Sequence, residues 1–293
     1  MLFRSLDAPA NAGVESIQAL LTPARARAIV ERNGPADFLI VRHIVEHAEK
    51  PWQFMAALGA LLAQDGYLVI EVPDCRGNLE RQDYSMVWEE HALYFTPETL
   101  PQVLAAAGCA AVAVEVHPFA FEDVIVLYAR KISAEAPHLK TEPAVVARNA
   151  NLAEDYGAAF EIWTDRYRRL FDEWTTNGKQ LAAYGAGHLT CAFINFHGLA
   201  DYFAFVVDDT PHKQGLYLPK CKLPIVSRSH LAASDVDRVL FGLAPEIEPK
   251  VIANNPEFVA RGGQFYSMFV DSPRSVRNQI DADWAPGLMH RRS

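Results

Sequence analysis

The chain is poor in cysteine. Its 293 residues hold only Cys75, Cys109, Cys191 and Cys221, and no two stand close enough to make a Cys-x-x-Cys pair. That spacing excludes the usual zinc modules and argues for reduced thiols packed inside rather than a disulfide framework. An excess of positive charge is also missing. Lys and Arg number 27 against 36 Asp and Glu, for a net charge of −9. Nucleic-acid binding needs clustered cations to neutralise phosphates, so no nucleic-acid partner is expected. Apolar runs such as Ala56–Ala63 and Val103–Val114 break well before the ~20 residues of a membrane span, and the start MLFRSLDAPANAG has too short an apolar stretch for a secretory signal. A cytoplasmic protein without a membrane partner is expected. Glycine is scarce at the beginning: only Gly13 and Gly34 precede Phe38, so that stretch has no glycine-rich turn to cradle a phosphate or cofactor.

What is present suits an ordinary globular protein. Half of the residues are hydrophobic and 22% are charged, and the length suffices for two domains at ~100–200 residues each. Asp37–Val41 reads as a buried strand. Pro51–Gln64 has Trp52, Met55, Leu58 and Leu62 at helical spacing, with Gly66 to close the helix. Tyr67–Val72 is a second strand, stopped by Pro73. Cys75–Val87 reads as a long irregular loop, the kind that often carries function. A helix is expected from Pro97 to Ala107, then strands at Ala111–Val116 and Asp123–Ala129. This order describes half of an open α/β sheet. Residues 131–143 read as a linker, and 144–176 as a long helix. A second α/β unit follows: strand Gln180–Tyr184, the turn Gly185-Ala186-Gly187, helix Leu189–Phe196, and strands Phe203–Val207, Val236–Leu240 and Phe265–Phe269. The expected domains are therefore 1–130 and 144–293, both Rossmann-like.

The most informative segment is WEEHALYFTPETL, residues 88–100. Glu89, Glu90 and His91 stand together, followed by Tyr94 and Phe95 and then by Thr96-Pro97, a capping hydroxyl with proline at the first helical position. An imidazole in such a loop suits a general base, since its unperturbed pKa lies near ~6.5. An acidic surface run carrying one histidine fits the same residues. Arg42 and His43 end the first strand, where open α/β sheets gather ligands. His43 and His47, four apart, would share one helical face, but a third and fourth metal ligand have no source, so no metal site is expected. Gly185 and Gly187, between strand and helix, suit a phosphate turn, although the third glycine of the dinucleotide pattern is absent. A tight connection without a ligand fits equally.

Three stretches carry a resemblance: FLIVRHIVEH, GYLVIEVPD and DYSMVWEEHALYFTPETL. They resemble the second half of the catalytic domain of S-adenosylmethionine-dependent C-methyltransferases that act on nucleotide-linked keto-deoxysugars. YGAG, VVDDTPHKQGLYLP and GGQFY are similar to that family's C-terminal domain, so the likeness runs from about residue 13 to 270. The resemblance implies S-adenosylmethionine as cofactor, with Arg42 and His43 beside it. It implies His91 as the base, assisted by Glu90, with Tyr94 near the developing enolate. Asp74, Tyr84, Tyr184, Gly185, Gly187 and Lys213 would meet the substrate. The chain departs from the family in three ways. It lacks the Gly-rich cofactor loop, it lacks the N-terminal cysteine-based zinc module, and it has Trp88 where members often carry Tyr. A truncated chain is expected on that ground. Such a chain would expose a sheet edge and self-associate or take its missing half from another chain. The alternative function is an impaired homologue that serves as a nucleotide-sugar binding or partner subunit.

Overall fold

The computed structural model describes residues 17–88, 90–119, 122–132 and 142–280. Gly13, Glu89 and most of the expected linker lie outside that set. The chain is α/β and divides into two compact units. The first comprises Met1–Val72, Ala92–Val116 and Ile125–Thr141; the second comprises Pro73–His91, His117–Val124 and Glu142–Ser293. The units divide the chain differently from a split at the linker, because residues 73–91 pack with the later half.

In the first unit, α1 (Pro23–Asn33) is set by Thr22, whose hydroxyl accepts the Arg25 amide at 3.2 Å, and by Pro23 at its first position. Then come β1 (Ala36–Arg42), α2 (Pro51–Leu61) and β2 (Leu62–Pro73). β3 (Cys109–His117) and β4 (Val124–Lys131) complete a sheet of order β1-β2-β4-β3. β1 and β2 are parallel, with Phe38 opposite Tyr67 and Arg42 opposite Glu71. The connection between β3 and β4 is too short for a parallel crossover, so these two run antiparallel. One sheet face, with Val41, Leu68, Ile70, Ile125 and Leu127, packs with Met55, Leu58, Leu100 and Leu104. On the other face of β1 and β2, Phe38, Ile40 and Tyr67 are 57%, 59% and 44% exposed. Parallel strands are normally covered on both faces.

Three local expectations change here. β1, expected as a buried strand, buries only Val41 fully, because one face of this edge strand is uncovered. α2 stops at Leu61, and Asp65, at φ 65°, makes the left-handed turn expected of Gly66. The helix expected from Pro97 is a 3₁₀ helix over Leu100–Ala107. Pro101 has no N–H to donate and is tolerated only in a first turn, so the helix starts later.

The second unit begins with α3 (Arg76–Arg81) and a 3₁₀ turn at Tyr84–Met86, where an irregular loop was expected. The Asp74 carboxylate accepts the Arg76 amide at 3.0 Å and so nucleates α3, and Gln82 closes it at φ 54°. α4 (Pro143–Trp174) buries Tyr167, Leu170 and Phe171. Next follow β5 (Leu181–Tyr184), α5 (His188–Phe196), β6 (Phe203–Val207), β7 (Ile225–Val226), α6 (Arg228–Ala233) and β8 (Arg238–Phe241). α7 (Glu248–Ala253), α8 (Pro256–Ala260) and β9 (Gln264–Ser267) end the unit. The sheet is wholly parallel, in order β7-β6-β5-β8-β9. Strand order therefore reverses between β5 and β8, a Rossmann-like arrangement whose ligand crevice lies beyond the carboxyl ends of those strands. Gly185 and Gly242 stand there. A side chain on Gly242 would enter the Thr190 hydroxyl, so the α5 end of the sheet closes only around a glycine. No helix among the described residues is long and apolar enough to cross a membrane.

Candidate active site

In the first unit, the register of β1 against β2 delivers Arg42 to Glu71. The guanidinium donates to both carboxylate oxygens, Nε to Oε2 at 2.9 Å and Nη2 to Oε1 at 2.8 Å. Those bonds hold the Glu71 carboxyl below its usual range and push Arg42 further up. His43 follows in the left-handed region, at φ 49°. A side chain with a Cβ pays of order 1–2 kcal/mol there, and such strain tends to gather at functional positions. Its Nε2 lies 3.1 Å from Glu71 Oε1 and its Nδ1 3.5 Å from Glu46 Oε1.

Glu46 is the unusual member of this group. It is 2% exposed, and neither of its carboxylate oxygens has a hydrogen-bond partner among the described residues. Burial raises its pKa, against the pull of His47 and His43. A 3₁₀ turn over Val45–His47 takes the place of the helix that would have aligned His43 with His47. Instead, His43 at 3.5 Å and His47 at 4.0 Å both approach the Glu46 carboxylate. The ends of β1 and β2 thus gather an Arg42–Glu71 ion pair and an imidazole, with the buried Glu46 carboxylate behind them. Arg42 and His43 are brought together as the sequence placed them. Glu46 and Glu71 were missed; Glu71's signal was a lone acid inside an apolar strand. Tyr94 also lies in this unit and is half-exposed.

His91 and Glu90 belong to the second unit, at the end of the segment that starts at Pro73. That segment is fastened along its length. Arg277 lies 3.8 Å over the Trp163 ring and donates to the carbonyls of Arg81, at 2.8 Å, and Gln82. Trp163 Nε1 donates to Gln82 Oε1 at 2.8 Å, and Tyr156 donates to the Asp83 carbonyl at 3.1 Å. Tyr84 is buried against Tyr156, Phe160 and His197, and its hydroxyl donates to the Tyr156 carbonyl at 2.7 Å. Burial pushes its pKa up to about 12. Tyr84 is therefore part of the packing that holds the segment, and Asp74 caps α3 beneath it. The His91 amide closes a turn on the Trp88 carbonyl at 3.1 Å, and the two rings stack at 5.8 Å. His91 is half-buried and Glu90 exposed.

The turn after β5 uses its polar groups internally. Gly185, at φ 100°, donates its amide to the Val207 carbonyl. Asp208 accepts the Ala186 amide at 2.8 Å, and Lys213 Nζ bridges the Ala186 carbonyl at 3.0 Å and Asp208 Oδ2 at 3.1 Å. Burial works to raise the Asp208 pKa, but bonds from Thr210, Ala186 and Lys213 outweigh it and leave it lowered. Tyr184 is buried and donates to Asp209 Oδ2 at 2.9 Å; burial lifts it to about 12. Gly187 stands at the N-cap of α5 with open space above its Cα. Tyr184, Gly185, Gly187 and Lys213 thus do stand together, and the Ala186 amide, which a phosphate would want, is already taken.

Comparison with known proteins adds the following. Residues 6–114 match a family model described as a methyltransferase domain, and residues 129–269 match one described as a C-methyltransferase C-terminal domain. The C-methyltransferase NovU of Streptomyces niveus is 30% identical over 274 residues, which cover 89% of this chain and 64% of that protein. The chain therefore spans about 64% of the length of this curated relative. Among solved structures, the 1,6-didemethyltoxoflavin-N1-methyltransferase of Burkholderia thailandensis, with bound S-adenosylhomocysteine, is 22% identical. It aligns over 33% of this chain and 44% of its own, at a TM-score of 0.26. An O-methyltransferase family protein from Burkholderia thailandensis is 15% identical over 41% of this chain and 37% of its own, at a TM-score of 0.30.

Proposed function

We propose that the chain is an S-adenosylmethionine-dependent C-methyltransferase acting on a nucleotide-linked keto-deoxysugar. One observation carries this reading: a methyltransferase domain match is followed directly by a C-methyltransferase C-terminal domain match, and the Glu90-His91 pair lies between their centres on a segment fastened in place. The cofactor would supply an electrophilic methyl group. The Glu71 and Glu46 carboxylates suit its ammonium and ribose hydroxyls as acceptors, with Arg42 holding Glu71 in place and His43 beside both.

His91 is the base. It takes the proton from the carbon beside the substrate ketone onto an imidazole nitrogen, and the electron pair left behind delocalises onto the ketone oxygen. Glu90 orients the imidazole and offsets its positive charge, and Tyr94 donates to the developing oxyanion. Fixing reactants in a near-attack geometry contributes up to ~7–11 kcal/mol when it is tight. Asp74 and Tyr84 shape the segment, while Tyr184, Gly185, Gly187 and Lys213 frame the turn that meets the nucleotide. The test is calorimetric titration with S-adenosylmethionine, followed by transfer of labelled methyl to a keto-deoxysugar nucleotide by the native chain and by His91→Ala. Micromolar binding with transfer lost in the variant supports the reading; no heat at millimolar cofactor counts against it.

The bare apolar face of β1 and β2 favours a second reading, in which the chain serves as a partner subunit that binds nucleotide sugar. Transfer by the purified chain alone would refute it.

A further inference from the structure

We infer that His188 is a positioning residue for His91 and acts through Trp88, so that the second α/β unit sets the catalytic loop; this rests on the reading of His91 as the base. The Gly185-Ala186-Gly187 turn satisfies its first amides within the protein, as described, and what it delivers is His188, the first residue of α5. The His188 ring stacks on Trp88 with centroids 3.8 Å apart and planes 18° from parallel. Its Nε2 lies 3.1 Å from the Val87 carbonyl. A carbonyl only accepts, so Nε2 carries the proton and donates. Trp88 in turn stacks on His91, again with planes 18° apart.

The Trp88 ring therefore contacts both imidazoles, and a hydrogen bond fixes the backbone just before it. Upstream, Arg277, Trp163 and Tyr156 fix residues 81–83. His188 is the next anchor along the segment. Trp88 is 38% exposed, so burial alone does not hold its ring. A general base must stay within hydrogen-bond reach of the proton it removes, and a shift near 1 Å can cost about a hundredfold in rate.

Three variants separate the two contacts. His188→Phe keeps the stack and loses the donor, His188→Gln keeps a donor and loses the ring, and His188→Ala loses both. The readouts are kcat, KM for the sugar nucleotide, thermal midpoint, and the emission of Trp88 taken as native minus Trp88→Phe. We expect His188→Ala to lower kcat at least tenfold at unchanged KM, with Trp88 emission shifted to the red. His188→Phe restores the emission and at least half of kcat with no matching change in the thermal midpoint, a split that a purely structural role would not give. If His188→Ala fails to fold, His188→Phe against His188→Gln carries the same comparison. Native kcat and native Trp88 emission in His188→Ala would overturn the inference, as would a His188→Phe no better than alanine. An inactive His91→Ala beside a fully active His188→Ala overturns this inference alone, whereas a fully active His91→Ala overturns the base reading and the inference together.

Discussion

His197 should make the second unit acid-sensitive by an amount that can be worked out. The side chain is 2% exposed, shares a 2.6 Å hydrogen bond with Thr164, and sits among the rings of Tyr84, Phe160, Tyr167 and Phe193. Burial, with Arg277 and Arg168 nearby, lowers its pKa from 6.5 to about 3. A histidine whose folded pKa is depressed costs nothing above its unfolded pKa. Stability is then lost as pH falls below 6.5, because the unfolded chain takes up a proton that the folded chain refuses. Each pH unit in that window costs about 1.4 kcal/mol, so about 2.5 kcal/mol disappears between pH 7 and pH 4.5, and about 4 by pH 3, where the folded histidine begins to take up its own proton. His197→Phe keeps the stack on Phe160 and cannot titrate, and the Thr164 hydroxyl can turn back to its own helix. Urea unfolding of both proteins at pH 7, 6, 5 and 4.5, followed by tryptophan emission, isolates the residue as the difference in slope. Carboxylates contribute equally to both. Parallel slopes for the native chain and the variant would refute the reasoning.

Glu46→Gln should stabilise the first unit increasingly as pH rises above ~4.5, because the native carboxyl must ionise in a site that raises its pKa; melts at pH 4.5 and 7.5 that differ equally from native would contradict it. Gly242→Ala drives a methyl group into the Thr190 hydroxyl and should cost about 1–3 kcal/mol or prevent folding, while adding Thr190→Ala should recover much of the loss in the urea midpoint. Phe38→Ser with Ile40→Ser should lower the mass seen by light scattering at micromolar concentration, with little change in the melt; an unchanged mass would show that this face does not drive association.

Much of the secondary structure was legible because its signals are local. β6 runs over Phe203–Val207 as the apolar run indicated, and α4 follows its stripe of Trp163, Tyr167, Leu170 and Trp174. Misjudged elements turned on short-range competition. Pro101 delayed one helix, and Asp74 with its Asx-type cap made a helix where loop residues predominate. The candidate site was legible by residue type but not by wiring. Arg42 and Glu71 are 29 positions apart and meet only through strand register, and His188 and Val87 are 101 apart. Lys213, expected from the resemblance to meet the substrate, is tied to Asp208. Spacing cannot reveal such pairings, because each depends on a tertiary approach that no local propensity encodes.

The anchoring of residues 81–83 has a consequence for biosynthesis. Arg277, which grips the Arg81 carbonyl, lies 196 residues downstream of it. At ~5–20 residues per second, the ribosome adds Arg277 some 10–40 s after Arg81. During that interval the stretch leading to Glu90 and His91 lacks the Arg277 bonds, so nascent chains stalled before residue 277 should yield residues 81–82 to a protease more readily than the finished protein does.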